Sequence, residues 1–256
     1  MGRALLIASL LLGGCAAPTD DSSSEDVGAS SDAVIGGSET YARPEIGAMW
    51  HGNSLCTGTL IRPNVVLTAL HCTGIANDQD VSAASPGFAF EIRTSATEAG
   101  ARRFAVDRIH SIGTLADMDG SQRWRKRDIA LMRLTENVPG TLARPAQVAT
   151  AWPRLGGHVA LVGFGCTSRT AGPNGRRPGT NVKRAKQYTW SLGLWIGWDD
   201  TQDSCPGDSG GPLLDLERNA VVGTTSGYVG SDDQFGDVPA NHVAVNAMAD
   251  RWYPRR

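Results

Sequence analysis

The chain has 256 residues, enough for one large domain or two packed lobes with a sizeable core. Its formal net charge is −2, so no overall field favours nucleic acid or a membrane surface as a partner. The 31 glycines and 13 prolines fit a chain of many short strands and turns.

Residues 1–15 have the pattern of an export signal. A positive charge at Arg3 precedes a short apolar run over 4–12, which is too short to anchor the chain across a bilayer. The following Leu-Gly-Gly-Cys, which ends at Cys15, resembles the bacterial lipoprotein box, in which the cysteine becomes the lipidated N-terminus. The alternative is an ordinary signal peptide that is cut nearby, with Cys15 lost or without a role.

Residues 16–33 are rich in Ser and Asp and contain hardly any apolar side chains. This composition predicts a disordered acidic tether or propeptide. We therefore expect an exported protein, held at a bacterial outer envelope as a lipoprotein through Cys15, secreted after cleavage of the propeptide, or both.

Short apolar runs with β-branched residues, separated by Gly, Pro, Asn and Asp, predict strands of a barrel or sandwich. The runs are Val65–Leu70, Ile129–Leu134, His158–Phe164 and Ala220–Thr225. Near the C-terminus the apolar residues follow a helical spacing, which predicts one amphipathic helix over 244–253. These residues are Val245, Met248, Ala249 and Trp252.

Ser209 lies in a glycine-rich turn with the sequence GDSGGP. A serine hydroxyl is a weak nucleophile, and it needs a base to take its proton and donors where negative charge develops on the attacked carbonyl. Glycine at 207 and 210 lets backbone N–H groups approach a substrate without a Cβ in the way. The turn therefore makes Ser209 a candidate nucleophile.

The base and its orienting acid must come from other parts of the chain. His71 follows a strand-like run in the segment TALHC, and Asp128 opens another run in the segment DIAL. With GDSGGP, these segments give the order His, Asp, Ser and resemble the signatures of the trypsin/chymotrypsin family of serine endopeptidases. Subtilisins and α/β-hydrolases place the same groups in other orders.

The resemblance implies an all-β fold of two packed six-stranded antiparallel barrels, followed by a C-terminal α-helix. The peptidase domain would then span 34–256, with lobes at about 34–142 and 143–243 and a Pro-containing crossover at Val138–Gln147. The catalytic residues would lie in the cleft between the barrels.

The family's mechanism assigns a role to each motif residue. His71 would act as general base and acid, and Asp128 would orient its imidazole and stabilise the charged form. The backbone N–H groups of Gly207 and Ser209 would form the oxyanion hole. Ser226 matches the serine that backs the catalytic aspartate in the family.

Val34-Ile35-Gly36-Gly37 resembles the mature N-terminus of these proteases. In the family, a cut before this segment frees an α-amino group that inserts and pairs with the acid before the nucleophile, here Asp208. A buried charge needs a partner, so the new terminus would act as an activation switch. The alternative is that Val34 merely begins the first strand.

Five cysteines are an odd number for an exported protein, and assigning Cys15 to lipid leaves four, which allow three pairings. Cys56 and Cys72 match the family's disulfide around the catalytic histidine. Cys166 and Cys205 then remain for the second disulfide, although the family usually places the partner of Cys205 downstream. Disulfides imply an oxidising compartment.

Asp203 lies six residues before Ser209, where trypsin-like members have the acid at the floor of the specificity pocket. A carboxylate there favours cleavage after Arg or Lys. The segment that matches the pocket wall reads Ser226-Gly227-Tyr228, and the tyrosine could narrow the pocket. Primary specificity for apolar residues is therefore the alternative.

We expect protein or peptide substrates, a monomer, no cofactor and no metal, because no nucleotide loop or metal-ligand spacing occurs in the sequence. Two other functions remain open: a protease-like binding protein with little or no activity, and a hydrolase of small esters. The complete set of His71, Asp128 and Ser209 favours the protease.

Overall fold

The computed structural model describes residues 34–254 except 75–79, 83–86, 96, 114–126, 167, 169–171, 174–177, 185–193, 197–203 and 230–231. Two predicted site residues, Cys15 and Asp203, and the tether over 16–33 therefore lie outside the described residues. No helix in the described part of the chain is long and apolar enough to cross a bilayer.

The described chain consists mainly of antiparallel strands. The strands are β1 Ser38–Glu39, β2 Ile46–His51, β3 Ser54–Arg62, β4 Val65–Thr68, β5 Asp80–Ser82, β6 Phe88–Arg93, β7 Ala101–Ser111, β8 Ala130–Leu134, β9 Gln147–Val148, β10 His158–Gly163, β11 Gly179–Arg184, β12 Leu194–Ile196, β13 Pro212–Asp215, β14 Ala220–Val229 and β15 Asp232–Asp237. Short 3-10 turns occur at Leu70–Cys72 and Glu98–Gly100, and one α-helix, α1, spans Val238–Trp252.

The first sheet closes into a barrel. Its strand order is β5-β7-β6-β2-β3-β4-β8, and β7 also pairs with β8, so six of its seven strands form a ring. Phe90 and Phe104 are fully buried and pack with Leu60, Val66 and Met132 in the core of this first barrel.

The second sheet has the order β1-β11-β10-β13-β14-β15-β12, with β9 added in parallel beside β14. The six strands from β11 to β12 form the second barrel, and its core includes Leu161, Leu213 and Phe235. Two six-stranded barrels and a C-terminal helix confirm the predicted fold class.

The N-terminal segment differs from the predicted lobe boundary. The sequence assigned all of 34–142 to the first lobe, but β1 pairs with β11, and Val34 is buried in the core of the second barrel. The reason is apolar burial, since Val34 packs with Val159 and Val222 there.

Helix α1 begins at Val238, earlier than the predicted span of 244–253. Its N-cap is Asp237, whose carboxylate accepts a hydrogen bond from the backbone N–H of Ala240 at 3.0 Å, and Pro239 fits the first turn. The apolar side of α1 packs on the core between the barrels through Val245, Met248 and Ala249. The cap lies outside the apolar repeat, and the prediction of the helix start was therefore wrong.

Candidate active site

The turn that carries Ser209 is held by backbone hydrogen bonds. Asp208 donates its N–H to the carbonyl of Cys205 at 3.0 Å and accepts from Gly211 at 2.8 Å. Gly210 has φ +79°, and a Cβ there would lie 2.1 Å from Thr68 Oγ1. Glycine is thus required at 210 both by conformation and by the close approach to the strand before His71.

His71 and Asp128 form a pair between two segments of the first barrel. His71 lies on the 3-10 turn after β4, and its Nδ1 is 2.7 Å from Asp128 Oδ2. Its backbone N–H also donates to Asp128 Oδ1 at 2.9 Å. Oδ2 therefore orients the imidazole and Oδ1 holds the backbone of His71, which leaves Nε2 as the ring nitrogen that can accept a proton.

Strand β14 of the second barrel holds Asp128 in place. Ser226 Oγ donates to Asp128 Oδ2 at 2.5 Å, and Thr224 Oγ1 donates to its backbone carbonyl at 2.9 Å. Asp128 is only 2% exposed, so these contacts replace the water that its carboxylate would otherwise need. The acid is thereby fixed by both barrels.

The backbone of Ser209 is hydrogen-bonded to β3, the strand before β4 and His71. Its carbonyl accepts a hydrogen bond from Thr57 N at 2.8 Å, and the preceding Cys56 is disulfide-bonded to Cys72, next to His71. Within the described part of the chain, the Ser209 hydroxyl makes no hydrogen bond. Such contacts between catalytic groups often tighten only when substrate binds.

Asp208 is fully buried beneath the turn. Its carboxylate accepts hydrogen bonds from the backbone N–H groups of Gly165 at 2.8 Å and Cys205 at 3.0 Å. Burial raises the pKa of Asp208 to about 7. Among the described residues no cation pairs with this carboxylate, and Val34 is covered by the core of the second barrel.

The structure contains the two disulfides that the sequence predicted, Cys56–Cys72 and Cys166–Cys205. The second disulfide joins the loop after β10 to the segment before Ser209, with 6.0 Å between its Cα atoms. It therefore ties the residues around Gly165, which contact Asp208, to the turn that carries Ser209.

The predicted pocket-wall residues lie on β14 but differ in environment. Ser226 is committed to Asp128, Gly227 pairs with Gln234 of β15, and the side chain of Tyr228 is 51% exposed. A half-exposed tyrosine lies at the surface beside the site.

Two buried polar residues of β15 escaped the sequence analysis. Asp233 is fully buried and accepts hydrogen bonds from the backbone N–H and the hydroxyl of Ser204. Gln234, the next residue, is 2% exposed. The one available signal was the run of polar residues over 232–234 before Phe235, which fits a surface turn equally well.

One cluster among the described residues has the residue types of a metal site: Cys56, His71 and Cys72. Zinc and related ions bind thiolates, whereas these two sulfur atoms are bonded to each other. The cluster is therefore part of the histidine's surroundings and not a metal centre.

A protein-family model described as "Trypsin" matches residues 34–251 of the chain. The chain belongs to the trypsin family of serine proteases. "Trypsin, alkaline C" of Manduca sexta is 30% identical over 220 residues, covering 75% of this chain and 80% of the relative. "Achelase-1" of Lonomia achelous is 28% identical over 222 residues, covering 76% of this chain and 96% of that relative.

The trypsin fold is also found in a solved structure of neuropsin, described as a serine protease of mouse brain. Its TM-score is 0.66 at 19% identity, and the match covers 84% of this chain and 100% of that one. At this identity the likeness concerns the fold alone. These relatives come from animals and give no support to the bacterial origin that the segment ending at Cys15 suggested.

Proposed function

We propose that this trypsin-family protease hydrolyses peptide bonds with Ser209 as nucleophile, His71 as base and Asp128 as orienting acid. The observation that carries the proposal is the double contact of Asp128 with the ring and the backbone of His71, at 2.7 and 2.9 Å. An imidazole held in this way presents Nε2, the atom that must take the serine proton, in a fixed direction.

In the proposed reaction, Ser209 Oγ attacks the peptide carbonyl carbon while its proton passes to His71 Nε2. The oxyanion accepts hydrogen bonds from the backbone N–H groups of Gly207 and Ser209. His71 then gives the proton to the leaving amine, and an acyl-enzyme remains. Water deprotonated by His71 releases the acid and regenerates Ser209. Asp128 keeps its negative charge throughout, since its role is to stabilise the imidazolium.

Cleavage after Arg or Lys is the proposed specificity, with Asp203 as the floor of the pocket. Support comes from Asp233, a buried carboxylate bonded to Ser204, the residue that follows Asp203. Negative charge at this segment favours a cationic side chain. The alternative of apolar specificity depends on Tyr228, whose ring is half exposed.

Cleavage before Val34 is the proposed activation step. The new α-amino group would pair with Asp208, which is buried without a described cation and has a raised pKa. A positive charge beside this carboxylate would restore its ionised form and order the oxyanion turn. The side chain of Val34 is already buried in the core of the second barrel in the uncut chain.

The proposed cellular location of the protein rests on residues 1–33. Export through a signal ending near Cys15 agrees with the two disulfides of the domain, since these bonds persist in oxidising compartments. A lipid on Cys15 would hold the uncut protein at an envelope membrane, and the cut before Val34 would release it. Proteins or peptides would be its substrates, and it would act as a monomer.

Titration with a fluorophosphonate, which reacts covalently with activated serines, tests the proposed function. We expect one label per active molecule, located on Ser209 by mass spectrometry, and none in Ser209→Ala. Loss of peptide cleavage in step with labelling supports a protease. A protein that is not labelled would be a binding protein with this fold, and labelling with turnover of small esters alone would indicate an esterase.

A further inference from the structure

Thr57 on β3 joins the first barrel to the turn of Ser209 through its backbone and its hydroxyl. The residue is fully buried. Its N–H donates to the carbonyl of Ser209 at 2.8 Å, and its hydroxyl donates to the carbonyl of Gly207, also at 2.8 Å. Its own carbonyl accepts from Thr68 Oγ1 at 2.9 Å, within the first barrel. Thr57 therefore holds the turn at the two carbonyls that flank Asp208 in the sequence.

The direction of the Thr57 hydroxyl is fixed by its two partners. Phe164, which follows β10, donates its backbone N–H to Thr57 Oγ1 at 3.1 Å. An N–H can only donate and a carbonyl can only accept, so the hydroxyl proton points to Gly207. The methyl group of Thr57 also lies against the turn, because a Cβ at Gly211 would be 3.1 Å from Thr57 Cγ2. Packing and hydrogen bonding thus hold this β-branched side chain in one orientation.

The hydrogen bond to Gly207 falls between the two proposed oxyanion donors. These donors are the N–H groups of Gly207 and Ser209, and the peptide group from Gly207 to Asp208 lies between the peptide groups that carry them. This middle peptide group is held at both ends. Its oxygen accepts from Thr57, and its N–H donates to the carbonyl of Cys205 at 3.0 Å. Because a peptide group is planar, the two contacts fix its orientation.

The conformation of Gly207 makes this contact important. Its φ is +101°, and a glycine has few steric limits on rotation. Without the Thr57 hydroxyl, the buried carbonyl of Gly207 and the buried N–H of Phe164 would each lose this hydrogen bond. Such a loss favours a rotation of the turn that restores hydrogen bonding. The N–H groups of Gly207 and Ser209 would then no longer converge on one point.

We propose that Thr57 is a positioning residue for the turn, which holds the peptide group between Gly207 and Asp208 so that both flanking N–H groups face the oxyanion. The inference rests on the proposed protease function and deepens it. Stabilisation of the oxyanion depends on donors that need no reorganisation during the reaction. A turn that is free to rotate would therefore lower kcat with little effect on the binding of the substrate.

The test compares Thr57→Val with Thr59→Val, the same change two residues further along β3. Thr59 is 1% exposed, and its hydroxyl has no hydrogen-bond partner among the described residues, so it is a matched control. Valine keeps the shape of threonine and removes the hydroxyl.

In the active protein, we expect Thr57→Val to lower kcat at least about tenfold and to leave KM within about twofold, because a hydrogen bond of the turn is lost and no substrate contact. Thr59→Val should keep the wild-type kcat. Thr57→Ser retains the hydroxyl and should restore most of the activity. A wild-type kcat in Thr57→Val would overturn the inference.

The pH profile of kcat/KM separates this role from an effect on the histidine. Thr57 follows Cys56, whose disulfide partner Cys72 is next to His71. If the substitution acted through His71, the midpoint of the acidic limb of the profile would shift. We expect the midpoint in Thr57→Val to equal that of the wild type, and a shifted midpoint would contradict a role in the turn alone.

Hydrogen exchange tests the positioning without any turnover. Mass spectrometry of the Ser209→Ala protein measures the exchange of the backbone amides over 205–211. Adding Thr57→Val should speed this exchange and adding Thr59→Val should not, because only the first change loosens the turn. If the exchange behaves in this way while the wild type cleaves no peptide, the proposed function fails and the role of Thr57 in the turn stands.

Two further results count against the inference. One is unchanged exchange over 205–211 in Thr57→Val. The other is a Thr57→Ser protein that loses as much kcat as Thr57→Val, since the hydroxyl would then not be the cause. If Thr57→Val does not fold, Thr57→Ala removes the same hydroxyl from a smaller side chain, and a kcat equal to that of Thr57→Ser would refute the proposal.

Discussion

Ser226 donates its hydroxyl to the carboxylate of Asp128 at 2.5 Å, across 98 residues of sequence and from one barrel to the other. The same oxygen of Asp128 faces His71 Nδ1 at 2.7 Å. The proposed catalytic acid is therefore positioned by the barrel that carries the proposed nucleophile, so the candidate site depends on the association of the two barrels.

Ser226→Ala should lower kcat while leaving the fold intact. The carboxylate of Asp128 would lose a donor and gain freedom to move away from the imidazole. A hydrogen bond to a buried charge contributes about 1.5–3 kcal/mol, so we expect a loss of roughly tenfold to a hundredfold in kcat. The measurement is kcat on one peptide substrate, with Ser54→Ala on the first barrel as control. A kcat equal to that of the wild type would show that Asp128 is oriented without Ser226.

The stability of the uncut chain should depend on pH through Asp208. Its pKa in the folded chain is about 7, against an ordinary value of 3.8. Folding therefore favours the neutral form of the Asp208 carboxyl. Its contribution to the free energy of unfolding is fully present below pH 4 and is lost as the pH rises through 7. Between these two pH ranges, the free energy of unfolding should fall by on the order of 4 kcal/mol through this group.

Urea unfolding of uncut Ser209→Ala protein between pH 4 and 8 measures this dependence without self-cleavage. Adding Asp208→Asn should flatten the profile, because the amide does not titrate. Parallel profiles for the two proteins would mean that Asp208 has an ordinary pKa in the folded chain.

A chain that begins at Val34 should be active, and one that retains Ala33 inactive. The free amine supplies a cation that no described residue provides to Asp208 in the uncut chain, and it should also keep the carboxylate ionised to lower pH. Asp208→Asn should abolish the difference between the two chains. N-terminal sequencing of the naturally active form identifies the cut, and a start before Val34 would contradict the mechanism.

Gly165→Ala should destabilise the protein, whereas Gly172→Ala should be nearly neutral. A Cβ at 165 would lie 2.6 Å from Asp208 Cγ, while a Cβ at 172 meets no atom of the described residues within 4 Å. Overpacking of this kind costs about 1–3 kcal/mol. Calorimetry of the two variants compares their Tm values. Equal Tm values would show that the loop around residue 165 can move away from Asp208 at little cost in free energy.

The sequence was most informative where function is encoded in adjacent residues. The turn around Ser209 and the pair His71 and Asp128 lie in short motifs, and their chemistry can be inferred before the fold is known. The strand runs were also correctly located, since the predicted run Val65–Leu70 contains β4 and Ala220–Thr225 begins β14.

Contacts between distant strands could not be predicted in the same way. Asp233 reaches Ser204 across 29 residues only because β15 lies beside the segment before Ser209. The early start of α1 likewise depends on Asp237, which Trp152 also contacts through its indole N–H at 2.9 Å. Such contacts follow from the pairing of strands, which a single sequence leaves undetermined.

The most direct test of the proposed triad is the turnover of Ser209→Ala, His71→Ala and the double variant on one peptide substrate. Residues that act as a unit have non-additive effects, so we expect each single variant to lose nearly all activity and the double variant to lose hardly more. Circular dichroism should show that all three proteins are folded. A Ser209→Ala protein that keeps more than roughly a hundredth of the wild-type rate would contradict the account, because another group would then be the nucleophile.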